Sequence, residues 1–278
     1  MAAPTIAQTP RPLTAAETDA LSQRQVKKHD VAIMLLHWFN AIVWLVELAS
    51  GPALLTSSFR VAPWWYIQIV QGFFHSRANM LQFHIAVGIT WIVVFVVYGT
   101  FGFRTYLKKE LLQRAINLDG DDIQWLRIRV LRLLGRSTEP LPPQGIYNAG
   151  QKLLALMVYA MVPVVMITGL IMTFHLIGTA AVGWAAAIHF AAVGAVVCGL
   201  IIHVYMGAVF PEEKPAFFSM ITGTVNELYA YTNHFKWWKE VSRVRAEILH
   251  ESGPRVAATV PPGAPQRQET PAEGEKRQ

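Results

Sequence analysis

Four histidines of this sequence lie well inside long apolar stretches, where ionisable side chains are rare. They are His37, His84, His189 and His203. An ionisable group within a lipid bilayer is costly and in most cases has a function. A single histidine there is explained as readily by a hydrogen bond between two helices. Four of them in one chain therefore point to a shared binding role.

The spacing of the histidines favours haem over other metal centres. His189 and His203 are 14 residues apart, close to four helical turns, so they share one helix face about 21 Å apart. Groups so far apart cannot ligate one metal, and each needs a partner on another helix. Two facing imidazoles supply both axial ligands of a haem iron, whereas a zinc site needs further ligands. Nearby glycines would leave room for a macrocycle, although glycines in membranes also serve helix packing; they are Gly88, Gly194 and Gly207.

Four stretches are long and apolar enough to position these histidines in a membrane, since a helix needs roughly 20 apolar residues to span it. The predicted spans are about residues 32–55, 82–103, 150–174 and 183–208. The composition agrees, with 53% hydrophobic and 15% charged residues in a chain of 278. We therefore predict an all-α integral membrane protein built as a four-helix bundle.

Lysine and arginine are distributed unevenly between the connections, and positively charged connections stay in the cytoplasm. They are frequent in residues 1–31 and 104–149 and scarce in the other two loops. This predicts a multi-pass protein of the bacterial inner membrane, with both termini and the long loop between spans two and three in the cytoplasm. Two histidines then lie at one depth near the cytoplasm, and two at another near the periplasm. The predicted pairs, one for each of two b-type haems, are His37 with His203 and His84 with His189.

The segments around the spans are assigned from composition. Residues 1–31 are an N-terminal extension and residues 32–208 the four-span di-haem domain. The aromatic-rich stretch 62–74 is too short to cross and is expected at the membrane interface. Residues 209–250 are expected to be a cytoplasmic helical segment, and residues 251–278, rich in Pro, Ala, Gly and Glu, a disordered tail.

The cysteine content and the charge exclude other kinds of site. Cys198 is the single cysteine, which excludes an internal disulfide, a covalent haem attachment motif and a four-cysteine iron–sulfur cluster. Iron–sulfur chemistry would therefore belong to another chain. The net charge of +6 comes from cations beside the apolar segments, which indicates membrane orientation and no nucleic-acid partner.

Several motifs resemble the formate dehydrogenase gamma subunit, a cytochrome b556. The similarity covers about residues 28–240, and its order of motifs with the 14-residue histidine spacing is fairly specific. The motifs are His37-Trp38, Asn148-Ala149-Gly150-Gln151-Lys152, His189, His203-Val204-Tyr205-Met206 and His234-Phe235-Lys236-Trp237-Trp238. The resemblance implies a four-span di-haem cytochrome that anchors a periplasmic molybdenum or tungsten enzyme and its iron–sulfur subunit. It also implies that menaquinone or ubiquinone is reduced near the cytoplasmic haem.

The resemblance assigns a quinone pocket to the start of the third span. It implies that Asn148, Gly150 and Gln151 contribute, with His203 nearby. Amide groups at a helix start are suitable hydrogen-bond donors to a quinone carbonyl. Asn148 is equally suitable as a helix N-cap residue, and the residues alone do not decide between the two readings.

Two further charged residues have alternative readings. Arg77 could pair with a haem propionate or mark the level of the lipid headgroups. Glu47 lies mid-span and could relay protons, but we favour a structural bond to a neighbouring helix. His75 and His175 lie near the predicted periplasmic surface without an equally deep partner.

The sequence predicts a cytochrome b subunit of a respiratory oxidoreductase, most simply formate dehydrogenase. Electrons would arrive from a periplasmic iron–sulfur partner, pass through two haems and reduce a quinone on the cytoplasmic side. The nearest alternative is the cytochrome b subunit of a hydrogenase or a thiosulfate-reductase-like complex. More distant alternatives are a transporter whose histidines and Glu47 form a proton path, and a membrane anchor without redox activity.

Overall fold

The computed structural model of the chain describes residues 10–55, 62–102, 108 and 114–252, with residues 244–252 given by their backbone only. The chain divides into two units, Met1–Trp238 and Lys239–Gln278. The predicted tail lies outside the described residues from residue 253 onward. Parts of the N-terminal extension and of the long middle loop, residues 1–9, 103–107 and 109–113, also lie outside them.

The described residues are mainly helical. The helices are α1 (Ala15–Ser22), α2 (Val31–Leu54), α3 (Trp64–Phe74), α4 (Arg77–Phe101), α5 (Gly120–Leu133), α6 (Ala149–Phe174), α7 (Thr179–Val204), α8 (Lys214–Thr222), α9 (Glu227–Asn233) and α10 (Phe235–Ser252). A turn of π-helix, Tyr205–Val209, extends α7, and a 3₁₀ turn, Pro211–Glu213, precedes α8. Two short strands, β1 (Gln25–Lys27) and β2 (Thr224–Asn226), complete the fold.

Helices α2, α4, α6 and α7 are the four predicted spans. They contain 24 to 26 residues each and are apolar enough to cross a membrane. At 1.5 Å per residue they are about 36–39 Å long, more than the hydrocarbon core requires. Large apolar side chains are exposed on all four helices, as contact with lipid demands; they include Leu45, Val93, Ile167 and Ile202. The predicted all-α membrane bundle is confirmed.

The ends of the spans differ from the prediction where polar residues extend a helix. The second span was expected to begin at residue 82, but α4 begins at Arg77 because the Ser76 hydroxyl accepts a hydrogen bond from the backbone N–H of Asn79. Polar residues in the first turns hid this start from an apolar count. The aromatic stretch expected at the interface forms α3.

Close packing of α6 against α7 fixes the second half of the bundle. A Cβ atom at Gly199 of α7 would collide with the side chains of Met157 and Leu154 on α6. A larger residue there would require these flexible side chains to move, and small residues are common where membrane helices pack closely. The two helices are joined by a short turn that passes through His175 and Gly178, so they run antiparallel.

An antiparallel strand pair joins the segment before α2 to the segment after α8. Val26 of β1 lies opposite Val225 of β2, and both side chains are buried. The Trp38 indole N–H also donates to the Met220 carbonyl over 2.7 Å, so α2 is bound to α8 as well. These contacts hold the start of α2 and the end of α7 at one end of the bundle.

A buried ion pair attaches α5 to the first turns of α6. The Lys152 ammonium lies 2.6 Å from the Asp122 carboxylate and donates to the Asn117 carbonyl over 2.9 Å. Both charged side chains are buried. Removing either partner would leave an uncompensated buried charge, so the pair fixes where α6 begins.

Candidate functional site

The structure places the imidazole ring of His37 on α2 next to the imidazole ring of His203 on α7. Their ring centroids are 6.3 Å apart and the ring planes are tilted by 59°. A ligating imidazole nitrogen lies about 2 Å from its metal and the ring centroid about 1 Å further away, so rings on opposite sides of one metal have centroids about 6 Å apart. The observed separation fits two axial ligands of one iron. The Nδ1 atom of His37 is buried and has no hydrogen-bond partner among the described residues.

His84 of α4 and His189 of α7 are the second pair that the sequence predicts, and each has a hydrogen-bond partner on a neighbouring helix. His84 Nδ1 lies 2.8 Å from the Ser50 hydroxyl and 2.5 Å from a Glu47 carboxylate oxygen, both on α2. His189 Nδ1 lies 2.9 Å from the Thr168 hydroxyl on α6. Hydrogen bonds at Nδ1 set the ring orientation and leave Nε2 as the nitrogen that could ligate a metal.

Glycines lie beside both rings of this second pair. A Cβ atom at Gly51 would lie 3.5 Å from His84 Cε1, and one at Gly169 would lie 3.5 Å from His189 Cε1. These are van der Waals distances, so an added methyl group would touch each imidazole without a clash. The rings can therefore stand close to the backbones of α2 and α6, the helices that provide their hydrogen-bond partners.

The glycines selected from the sequence also adjoin open space. A Cβ atom at Gly194 or Gly207 would meet no other group within 4 Å, and one at Gly88 would lie 3.8 Å from the Glu47 carboxylate. Gly207 follows His203 by four residues and lies in the turn of π-helix that extends α7. No cluster of three or more histidine, cysteine, aspartate or glutamate side chains suited to a metal ion occurs in the part of the chain that the structure describes. The donor set therefore fits paired imidazoles on a haem better than a zinc site.

The predicted quinone residues lie at the start of α6, at the same end of the bundle as His37 and His203. Asn148 and Gln151 form a reciprocal cap, since the side-chain oxygen of each accepts a hydrogen bond from the backbone N–H of the other over 3.0 Å. The cap uses the amide oxygens, so both amide NH₂ groups remain as donors. Gly150 lies against Trp125, whose ring would be 3.6 Å from an added Cβ. The helix cap is therefore present, and quinone binding by these residues stays a prediction.

The other residues singled out from the sequence have structural contacts. The Arg77 guanidinium donates to the Leu54 carbonyl over 2.8 Å and connects the start of α4 to the end of α2. Its predicted contact with a haem propionate stays a prediction. His75 and His175 end α3 and α6 in the left-handed backbone conformation, with φ of 61° and 50°. Glu47, expected to bond a neighbouring helix, bonds His84 on α4.

A buried polar cluster beneath the His37–His203 pair was not found from the sequence. His234 is fully buried, and its Nδ1 donates to the Gly145 carbonyl over 2.6 Å while Nε2 lies 3.2 Å from the Tyr229 hydroxyl. Tyr229 donates in turn to the Glu213 carboxylate over 2.9 Å. His29, also buried, stacks on Tyr147 with ring centroids 6.5 Å apart. His234 belongs to a recognised motif, but nothing in its local pattern indicated burial.

Burial keeps the histidines of this cluster neutral. Desolvation, reinforced by the nearby Lys28 charge, lowers the pKa of His29 to about 3, and the same two causes lower the pKa of His234 to about 3. Desolvation also lowers the pKa of Lys28 to about 8. Burial and the Glu213 carboxylate raise the pKa of Tyr229. At neutral pH the cluster therefore contains uncharged imidazole and phenol groups.

Comparison with known proteins identifies a matching family and several relatives. Residues 28–223 match the family model of prokaryotic cytochrome b561. The chain is 28% identical over 139 residues to the cytochrome b556(Fdn) subunit of the nitrate-inducible formate dehydrogenase of Escherichia coli (strain K12), covering 49% of this chain and 62% of that protein. The chain thus spans less than two thirds of that relative.

Two further relatives match over more of their length. The chain is 23% identical over 242 residues to the formate dehydrogenase cytochrome b556 subunit of Haemophilus influenzae, covering 84% of this chain and 92% of that protein. It is 24% identical over 212 residues to the cytochrome b556(fdo) subunit of Escherichia coli (strain K12), covering 74% and 89%.

The neutral cluster predicts that acid destabilises the folded chain. The unfolded chain binds protons at His29 and His234 near the ordinary pKa of 6.5, whereas the folded chain does so only near pH 3, so stability is lost as pH falls below about 6.5. Between about pH 7 and pH 5.5 each histidine contributes about 1 kcal/mol to this loss. When the pH is lowered from about 7 to about 5.5, the melting temperature of the detergent-solubilised protein should fall less for His234→Gln than for wild type. The exposed-site control His175→Asn should follow wild type, and equal falls in all three proteins would refute the assignment.

Proposed function

We propose that this chain, which belongs to the prokaryotic cytochrome b561 family, is the membrane cytochrome b subunit of a formate dehydrogenase. Haem b is the cofactor that membership of this family implies. In our proposal the chain holds two haems and passes electrons from a periplasmic partner to a quinone on the cytoplasmic side. It lies in the bacterial inner membrane with both termini in the cytoplasm.

The observation that carries the proposal is the meeting of His37 and His203, with His84 and His189 oriented by neighbouring helices at the other level of the bundle. His37 and His203 have the ring separation that two axial ligands of one iron require. His84 and His189 are oriented through Nδ1 by groups on α2 and α6, which leaves Nε2 for an iron. A transporter or a redox-inactive anchor would not need this arrangement at both levels.

The protein residues supply binding, orientation and electrostatics. Ser50 and Thr168 hold the rings of His84 and His189, and α7 carries one histidine of each pair. Bound haem would supply a one-electron redox couple at each level. Because the two levels lie close to opposite membrane faces, the chain has redox sites at both surfaces.

The quinone site that we propose lies at the start of α6. The Asn148 and Gln151 amides can donate to a quinone carbonyl without loss of the helix cap, since the cap uses only their oxygens. Their neighbour Tyr147 stacks on His29 beside the start of α2, the helix that carries His37. A quinone there would be near the cytoplasmic-side histidine pair.

The partners follow from the cysteine content and from the relatives. A single cysteine cannot hold an iron–sulfur cluster, so an electron donor of this kind must be another subunit. The relatives are named as subunits of formate dehydrogenases. We propose an iron–sulfur subunit and a molybdenum or tungsten catalytic subunit as partners. Since the matching family is not confined by its description to formate dehydrogenases, a hydrogenase or thiosulfate-reductase-like complex is the second candidate.

Loss of one histidine should remove one haem. The purified wild-type protein should contain two b-type haems per chain, and His189→Ala should contain one, with its reduced-minus-oxidised absorbance band reduced by about half. His175→Asn is the matched control, because this histidine is exposed, ends α6 in the left-handed conformation and belongs to neither pair. A His189→Ala protein that retains two haems with normal spectra would refute the proposal.

The complex that co-purifies with the full chain identifies the electron donor. Mild solubilisation from native membranes followed by mass spectrometry should recover a formate dehydrogenase catalytic subunit together with an iron–sulfur subunit. Recovery of a nickel–iron hydrogenase or another catalytic subunit instead would reject the formate assignment. The haem assignment is tested separately by the His189→Ala measurement.

A further inference from the structure

We infer that the carboxylate of Glu47 lowers the reduction potential of the haem held by His84 and His189, and so acts as a positioning and tuning residue. The inference rests on the proposed function, in which His84 is a haem ligand. Nothing in the family description or in the names of the relatives assigns a role to this glutamate.

Glu47 and Ser50 approach the same nitrogen of His84. They lie three residues apart on one face of α2, opposite α4, with the Glu47 oxygen 2.5 Å and the Ser50 hydroxyl 2.8 Å from Nδ1. The Ser50 hydroxyl also lies 3.3 Å from the carbonyls of Val46 and Glu47, to which it can donate its single proton. The Nδ1–H of His84 therefore has a carboxylate as its strongest acceptor, because charge-assisted hydrogen bonds are shorter and stronger than neutral ones.

The carboxylate distinguishes His84 from the other paired histidines. His189 has the neutral hydroxyl of Thr168 at its Nδ1. His37 has a buried Nδ1 without a hydrogen-bond partner among the described residues. Within the described part of the chain, the histidine–carboxylate contact at these two levels is that of His84 with Glu47. A carboxylate thus lies directly behind the ring of His84, whereas His189 has a neutral hydroxyl and His37 has no partner among the described residues at the same ring nitrogen.

Placing the Glu47 carboxyl group inside a membrane span costs free energy, so a functional role is expected for it. Its side chain is mostly buried within α2, a membrane-spanning helix. Its second carboxylate oxygen is buried and has no hydrogen-bond partner among the described residues. A carboxylate in such surroundings is expensive, whereas glutamine would join α2 to α4 through the same hydrogen bond without a charge. The presence of a carboxyl group rather than an amide at this position is therefore what needs an explanation.

A carboxylate behind a ligating imidazole changes the electronic balance at the metal. Accepting the Nδ1–H bond makes the ring a stronger electron donor through Nε2. A negative charge close to the iron also favours the ferric form over the ferrous form, and water and salt screen this effect poorly inside the membrane. Both effects lower the reduction potential, and second-shell hydrogen bonds are among the means by which proteins set haem potentials.

The two proposed haems therefore differ in reduction potential, and the haem at the His84–His189 level has the lower one. In the proposed orientation the His84–His189 level lies near the periplasm, where electrons enter, and the His37–His203 level lies near the cytoplasm. A lower potential at the entry level makes transfer to the cytoplasmic side more favourable. Glu47 thus promotes electron flow from the periplasmic partner toward the quinone.

Redox titration of the haem-containing complex tests this inference. Absorbance is recorded against applied potential for wild type, Glu47→Gln, Glu47→Asp and the exposed control Glu212→Gln. In Glu47→Gln one of the two titration steps should move to higher potential by about 59 mV, which corresponds to a tenfold change in the equilibrium constant of a one-electron step. The other step should stay in place, two haems should remain bound, and Glu47→Asp should lie closer to wild type because it keeps the charge.

The controls separate failure of this inference from failure of the proposed function. Unchanged potentials in Glu47→Gln would show that Glu47 only joins two helices, and would overturn the inference. Ser50→Ala keeps the carboxylate as the acceptor and should not raise the potential; a rise in this variant would also overturn the inference, even if Glu47→Gln proved too unstable to purify. A wild-type protein without haem would instead defeat the proposed function.

Discussion

An imidazole inside a bilayer is stable when its polar nitrogens have partners, and in this chain those partners come from neighbouring helices. Ser50 of α2 bonds His84 of α4, and Thr168 of α6 bonds His189 of α7. The hydrogen bonds that orient the rings are therefore also contacts between helices. The contacts of α2 with α4 and of α6 with α7 thus include the interactions that, in our proposal, leave Nε2 available to a metal.

The end of the bundle that holds His37 and His203 is stabilised by contacts among residues at and beyond the ends of the spans. The β1–β2 pair, the buried Asp122–Lys152 ion pair and the cluster around His234 fix the starts of α2 and α6. These contacts are costly to assemble, since each buries polar groups that must be fully paired. They hold together the segments that lie beside the amide groups of the proposed quinone site.

The sequence predicted the four spans because about 20 consecutive apolar residues are an unambiguous signal, and it predicted the histidine pairs because span direction sets depth. It did not predict β1 and β2, whose three residues are too few to show an alternating pattern. Ser50 and Thr168 were missed because a hydroxyl within a span commonly bonds its own helix, and only three-dimensional packing shows that these two also reach a histidine. The burial of His234 depends on residues distant in sequence, such as Gly145.

The central claim is that two irons are each held by two imidazoles, one pair at each level of the bundle. Electron paramagnetic resonance of the oxidised, purified wild-type protein at low temperature tests it directly, because the spectrum depends on both axial ligands of each iron. The account predicts two low-spin ferric signals of bis-imidazole type that together integrate to two haems per chain. A single low-spin signal with one haem, or a main signal from high-spin, five-coordinate iron, would contradict it.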